Sequence, residues 1–469
     1  MKVLAIDQGT TATKSFTLDE SGRFEPVAAA AFEHRQIYPN AGWVEHDAEE
    51  LLRNVRACLD AAGKVDAIGM DNQGETVVAW DAGTGKPIYN AIVWQDSRTQ
   101  DITEKLKADG AEELTRARTG LPLDPYFSAS KLRWFIDNVD EARSLLKNGR
   151  LRLGTSDAFF LDRLTGTFAT DVTTASRTSL MSLDTCTWDP DLCKLFGVPV
   201  ECLPEIRSTA GDFGQAGKTP VTASLVDQQA ALFGHGSPTK ITFGTGAFAL
   251  TVTGDVRVDG SKFGILPTLA WKIKNEAPHR AIEGGVYNAG SAVNWARGLG
   301  LFKEFSDIAS FEMPSALSRN LVFVPALSGL ACPHWDRGAA GLWIGMGLET
   351  TARDLIQALL EGIALRAAEV IAAMAELTPL GNMISIDGGL TKNFYFNRFL
   401  ANALQKTLIV QESPELTGLG TARMAMRGAG VETLPPLPAP HAEITPDAPL
   451  SQELKQRFSE AVKRAKNWK

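Results

Sequence analysis

Cysteine is scarce in this chain and poorly placed for its usual structural uses. Cys58, Cys186, Cys193, Cys202 and Cys332 are scattered over 469 positions, odd in number, with no pair at C-x-x-C spacing. Neither a disulfide framework nor a zinc ribbon fits that pattern. The six histidines are equally dispersed, which leaves no His-based metal site to argue from. No apolar run reaches the roughly 18 residues that a membrane span requires, and no apolar leader with a small-residue cleavage site opens the chain. A reduced, cytoplasmic protein is the expectation. A basic excess is missing too: the net charge is -8 and the pI about 5.5, which argues against a nucleic-acid or membrane-surface partner. A small anionic ligand stays open, since local amides and a few cations suffice to hold one. The GxxxxGK[ST] phosphate loop is absent, which disfavours a P-loop enzyme.

What is present is a globular composition, 44% hydrophobic and 22% charged, with length enough for two or three domains. Residues 2–6 form an apolar strand that ends in the polar turn Asp7-Gln8-Gly9-Thr10-Thr11. Alternating residues 13–18 meet the turn signal at 19–22, and strand 27–32 follows. Helical spacing marks 46–59 and 101–139, and strands are expected at 65–70, 76–80 and 91–94. After an apolar strand at 221–226 and a short helix at 230–234, the pattern restarts: strand 240–243, the turn Gly244-Thr245-Gly246, strand 247–253 and a polar turn. A long helix at 351–377 and strand 384–387, ending in Gly388-Gly389, continue the second half. This repeat of strand, Gly/Thr turn and strand predicts an α/β protein of two related domains, 1–235 and 236–469, with a cleft between them.

Several residue groups suit phosphoryl transfer, which needs amides and a metal at the phosphates, a carboxylate for the hydroxyl proton and exclusion of water. The turn at Asp7 offers a carboxylate for Mg²⁺ through water, with amides of Thr10 and Thr11 for phosphate oxygens. The same turn also reads as a simple hairpin. Gly244-Thr245-Gly246 and Gly388-Gly389 are further amide-rich turns, equally compatible with plain chain reversals. Asp227, at a strand end beside Gln228 and Gln229, reads either as a general base or as a helix N-cap. Trp94, Tyr126 and Phe248 suit the walls of a small polar pocket, or simply the core.

Taken together, the segments IDQGTT (6–11), GWVEHD (42–47), VVAWD (77–81), TGKPIYNAIVWQD (84–96), DPYFSASKL (124–132), TASRTSL (174–180), DQQAALFG (227–234), FGTGAF (243–248), EGGVYNAG (283–290), FVPALSGL (323–330), DGGL (387–390) and TGLGTA (417–422) resemble the FGGY family of carbohydrate kinases, and within it the glycerol kinases. The resemblance implies two ribonuclease H-like domains of the actin-like ATPase fold, with Mg-ATP in the cleft and a small polyol or sugar as acceptor. It places Asp7, Thr10, Thr11, Ala12 and Lys14 at the phosphates, and Thr245, Gly290, Asn294, Gly389 and Asn393 around the nucleotide. Asp227 becomes the base, with Gln228 beside it, and Gly74, Glu75, Trp94, Tyr126 and Phe248 fall at the polyol. A homodimer or homotetramer is the expected assembly. Lys14 and Asn294 stand where an Arg and a Gln are more usual.

Two departures matter. Glycerol kinases typically carry an Arg before the pocket Glu, whereas this chain reads Asn72-Gln73-Gly74-Glu75-Thr76. Losing a charge-assisted bond to the substrate costs about 1.5–3 kcal/mol, and the vacated volume would suit a longer acceptor such as a tetritol, pentitol or pentulose. The segment 213–227 is also too short for the Gly-rich loop that binds fructose 1,6-bisphosphate in many bacterial glycerol kinases, so no control by that ligand is expected. A non-kinase ATPase of the same fold, or a silent sensor, would lack a reason to keep the acceptor pocket and Asp227.

Overall fold

The computed structural model describes residues 1–411 and 415–469. Its first sheet is built on β1 (Lys2–Gln8), β2 (Ala12–Asp19) and β3 (Phe24–Glu33), which run antiparallel in succession. On the other side of β1 lie β4 (Ala67–Asn72) and β5 (Thr219–Val226), both parallel to it. The central strand β1 is covered on both faces: Val3 and Ala5 join one core cluster, Leu4 and Ile6 the other. That period-2 division explains why its sequence is a continuous apolar run.

The second sheet repeats the plan. β6 (Thr239–Phe243), β7 (Ala247–Gly254) and β8 (His279–Val286) run antiparallel, and β9 (Met383–Gly388) and β10 (Thr407–Val410) lie parallel beyond β6. The strand orders β3-β2-β1-β4-β5 and β8-β7-β6-β9-β10 are the same arrangement, with short edge strands added outside each. The fold is therefore the duplicated α/β architecture expected from the sequence.

Three helices set the geometry of the cleft: α1 (Asp227–His235), α2 (Phe394–Leu404) and α3 (Leu416–Gly428). Helix α3 comes from the second half of the chain yet buries Leu419, Ala422, Met424 and Ala425 against Val3, Ala5, Ala67 and Leu225 of the first sheet. Helices α1 and α3 touch backbone to backbone at two glycines. A Cβ on Gly420 would lie 1.8 Å from the Ala230 carbonyl oxygen, and one on Gly234 would lie 2.1 Å from that of Leu416.

The region expected to be helical over 101–139 is three helices, Gln100–Ala108, Glu112–Thr119 and Ser128–Asn138. The break falls where Gly120 takes a φ of 75° and Pro122 and Pro125 follow. Residues 213–226 form a tight hairpin, with Gln215–Ala216 paired to β5 around Gly217 at φ 64°. Among the described residues no helix is long and apolar enough to cross a membrane.

Candidate active site

The carboxyl ends of β1, β4 and β5 gather four acids. Asp7 and Asp71 are register partners on neighbouring parallel strands. Their carboxyl groups lie close enough to influence each other's ionisation, and burial holds both above the ordinary carboxylate range. Asp71 Oδ2 accepts a bond from the Thr421 hydroxyl on α3 at 2.6 Å, so a helix of the second half anchors an acid of the first sheet.

Asp227 opens α1 directly after β5. Its N-cap position is taken by Val226, whose side chain cannot cap, so the capping role open in the sequence is not the one Asp227 plays. Its Oδ1 accepts from the adjacent Gln228 amide, at 2.7 Å. Burial, followed by the nearby charges of Glu75 and Asp7, pushes its carboxyl up to about 7. That is the range in which a carboxylate serves as a proton acceptor near neutrality.

Glu75 sits at φ 57° in a three-residue turn closed by a 2.7 Å bond from the Thr76 amide to the Gly74 carbonyl. A left-handed glutamate in so tight a turn is strained, and such strain persists only where the surroundings over-determine it. Here the Ser128 hydroxyl holds the Glu75 carbonyl at 3.1 Å, and Arg177 Nε reaches its carboxylate at 2.6 Å. The same guanidinium donates through Nη2 to Glu283 on β8, 3.1 Å away, with all three side chains buried. Trp94 Nε1 donates to the Thr10 hydroxyl at 3.0 Å, and the Trp94 ring meets Tyr126 edge to face with centroids 5.7 Å apart. Buried Lys131 fixes that corner by donating to the Tyr126 and Phe127 carbonyls at 2.7 and 3.2 Å. Gln228 is held from across the cleft by Lys240 Nζ on β6, at 2.6 Å. Phe248 lies on β7, its ring over Gly285 and Gly246.

Gly74 departs from the sequence expectation. A Cβ there would meet the Val226 methyls at 3.0 and 3.6 Å. The volume freed at the root of the missing side chain is therefore filled by valine rather than left open.

A cavity of about 480 Å³ lies on the second-half side of the cleft. Thr245, Gly290, Asn294, Gly389 and Asn393 all line it, with Phe243, Val293, Phe305, Ile308 and Leu390 as its apolar walls. The Gly244-Thr245 turn is locked to the start of helix Gly290–Gly298 by bonds from the Gly290 amide to Gly244 O and from the Ala289 amide to Thr245 O, at 2.9 and 3.0 Å. Gly388, at φ 99°, would place a Cβ 2.3 Å from Phe243 O, while Gly389 faces open space. Asn393 spends its side chain structurally, capping α2 at Phe396 N and donating to Ile308 O. The facing turn of the first sheet closes through Gly9 N to Ala12 O at 3.0 Å and presents Thr10 and Thr11 at its tip. Lys14 reaches Glu415 at 2.9 Å, from one half of the chain to the other.

For a divalent cation, the fit rests on Asp7 and Asp71: two adjacent carboxyl groups, with Asp71 Oδ1 buried and, among the described residues, without a hydrogen-bond partner. Oxygen ligands of that kind suit Mg²⁺, which keeps several waters and takes one or two carboxylates.

Sequence reading missed Asp71, Lys131, Arg177, Lys240, Glu283 and Thr421. Four of these lie on motifs quoted above (FSASKL, TASRTSL, EGGVYNAG and TGLGTA), and the signal available was a charged or hydroxyl residue inside an apolar segment.

The chain matches the N-terminal domain of the FGGY family of carbohydrate kinases over residues 2–234 and the C-terminal domain over 239–429. A glycerol kinase of Bdellovibrio bacteriovorus is 41% identical, over 92% of this chain and 91% of that protein. One from Thermus brockianus is 40% identical over 99% of both. The crystal structure of Plasmodium falciparum glycerol kinase with ADP superposes with a TM-score of 0.88 at 30% identity, covering 99% of this chain and 98% of that one. A ligand-bound xylulose kinase from Lactobacillus acidophilus shares the fold, with a TM-score of 0.85 at 22% identity and coverage of 99% and 96%. The acid cluster, the two facing glycine turns and these likenesses converge: this chain belongs to the FGGY family of carbohydrate kinases.

Proposed function

We propose that the chain transfers the γ-phosphoryl group of ATP to a terminal hydroxyl of a small polyol, with glycerol the nearest acceptor among its relatives. The observation that carries this reading is the position of Asp227: half-buried, directly after β5, where desolvation and then the charges of Glu75 and Asp7 raise its carboxyl to about 7. In that position it takes the acceptor's hydroxyl proton as the new O–P bond forms and the bond to the departing ADP oxygen breaks. Glu75 and the Trp94–Tyr126 corner orient the acceptor, and the 480 Å³ cavity suits the base and ribose of the nucleotide. The amides around Thr10, Thr11 and Ala12 face the phosphates with Lys14 behind them. A magnesium ion held through water by Asp7 would supply charge neutralisation at the phosphates. Residues 1–235 carry the acceptor pocket and 236–469 the nucleotide cavity, with α3 exchanged between them.

A coupled ADP-release assay with and without polyols tests the reading. Turnover only with polyol supports it. Turnover without polyol points to a plain ATPase, and no turnover to a silent sensor. A longer polyol or a ketose is the second reading, motivated by the absence at Gly74 of an arginine head group rather than by free volume at its root, and the same acceptor panel decides between them by kcat/KM.

A further inference from the structure

The two acids of the acceptor pocket are each preceded by an apolar residue, and sheet register brings these two together. Val226 is the partner of Asn72 across β5 and β4. One strand then continues into Asp227, the other through Gln73 and Gly74 to Glu75. Gly74 does not adopt the left-handed conformation that favours glycine. What a side chain there would meet is Val226, whose Cγ1 stands 3.0 Å from the Cβ position. Val226 is itself fixed and buried, its amide donating to the Thr173 hydroxyl at 3.0 Å. The Gly74 carbonyl is already taken by Thr76 N at 2.7 Å. Between the two acids the chain therefore places a wall of methyl groups, beside a Gly74 carbonyl that already accepts one bond.

We propose that the Gly74–Val226 contact is the specificity determinant of the acceptor site, selecting alcohols that present hydrogen or a methyl group, not a hydroxyl, to this wall. The inference rests on the kinase reading above and narrows its substrate class to vicinal diols with an apolar terminus. A hydroxyl pressed against two methyls loses its water and finds no partner, which lowers kcat/KM by roughly ten- to a hundredfold against an acceptor without it. Glu75 and Asp227 remain to take the two hydroxyls of the diol.

The test compares propane-1,2-diol, glycerol and erythritol as acceptors for the full chain and for Val226→Thr, which keeps the side-chain volume and adds a hydroxyl to the wall. The expected result is that wild type prefers propane-1,2-diol to glycerol by tenfold or more, and that Val226→Thr moves the ratio toward glycerol by a similar factor. A second variant, Val226→Ala, makes room without adding polarity and should leave the preference for the apolar terminus in place. An unchanged ratio in Val226→Thr, or erythritol as the best acceptor of wild type, overturns the proposal while leaving the kinase reading intact. No ADP release with any acceptor overturns the kinase reading itself.

Discussion

Arg177 and Glu283 join the two halves of the molecule through a buried 3.1 Å contact. The same arginine holds Glu75, so the pocket acid of one half is tied to a strand of the other. Replacing Arg177 by methionine leaves two carboxylates buried and facing each other. The expected loss is about 3–5 kcal/mol of unfolding free energy, measured by urea titration. Glu283→Gln keeps a hydrogen-bond acceptor, and in a steady-state assay it should raise KM for the acceptor more than it lowers kcat.

Asp227 must be ionised to accept a proton, and burial beside Glu75 and Asp7 lifts its carboxyl to about 7. With Lys240 acting only weakly against that shift, log kcat/KM should climb with unit slope as pH rises to about 7 and then level off. Glu75→Gln, which removes the like charge with the largest effect on Asp227, should move the inflection to lower pH. A profile flat from pH 5 to 8 would contradict the assignment.

Asp227→Asn should reduce kcat by roughly two to four orders of magnitude, the contribution of a positioned general base, with far-UV circular dichroism unchanged. The sign of its effect on stability is also set. The folded-state value lies above the ordinary one of 3.8, so the folded protein holds a proton that the unfolded chain has released. Stability from this group is complete below about pH 4 and is lost as pH rises through about 7. The asparagine variant without ligand should therefore melt higher than wild type at pH 8 and at the same temperature near pH 4.

Gly420→Val drives a branched side chain into the Ala230 carbonyl, 1.8 Å from its first carbon. Helices α1 and α3 must separate, at a cost of about 3 kcal/mol or more. Thr421→Val is gentler. It leaves one Asp71 oxygen without its 2.6 Å donor, a loss of about 1–3 kcal/mol that a urea midpoint shift at constant slope would report.

Fructose 1,6-bisphosphate should leave activity unchanged at millimolar concentration. Residues 213–226 turn at Gly217 within a tight hairpin and offer no loop to receive it. Dose-dependent inhibition of ADP release would refute this.

Much of the frame was legible in the residues. The strand and glycine-turn pattern at 2–18 and again at 240–253 gave both halves: β1, buried on two faces, reads as an apolar run, and after β6 the same Gly-Thr turn and second strand recur. The five residues assigned to the nucleotide line one cavity. What stayed hidden depends on contacts between distant segments. Arg177, Glu75 and Glu283 are far apart in the chain, and only the folded sheets show that they form one ion triad. The return of α3 to the first sheet was equally invisible, since an apolar helix at 416–428 does not state which sheet it covers. Gly74 taught the opposite lesson. Its lack of a side chain suggested spare room, and the register of β4 against β5 supplied the valine that occupies it.

The path of α3 also bears on how this chain can be cut or rebuilt. A polypeptide stopping at residue 235 would leave Val3, Ala5 and Leu225 bare to water, and one starting at 236 would carry an orphan greasy helix. Neither piece should be soluble by itself. Two co-expressed pieces should find each other, whereas shuffling halves among relatives should work only when the segment 416–428 travels with the first.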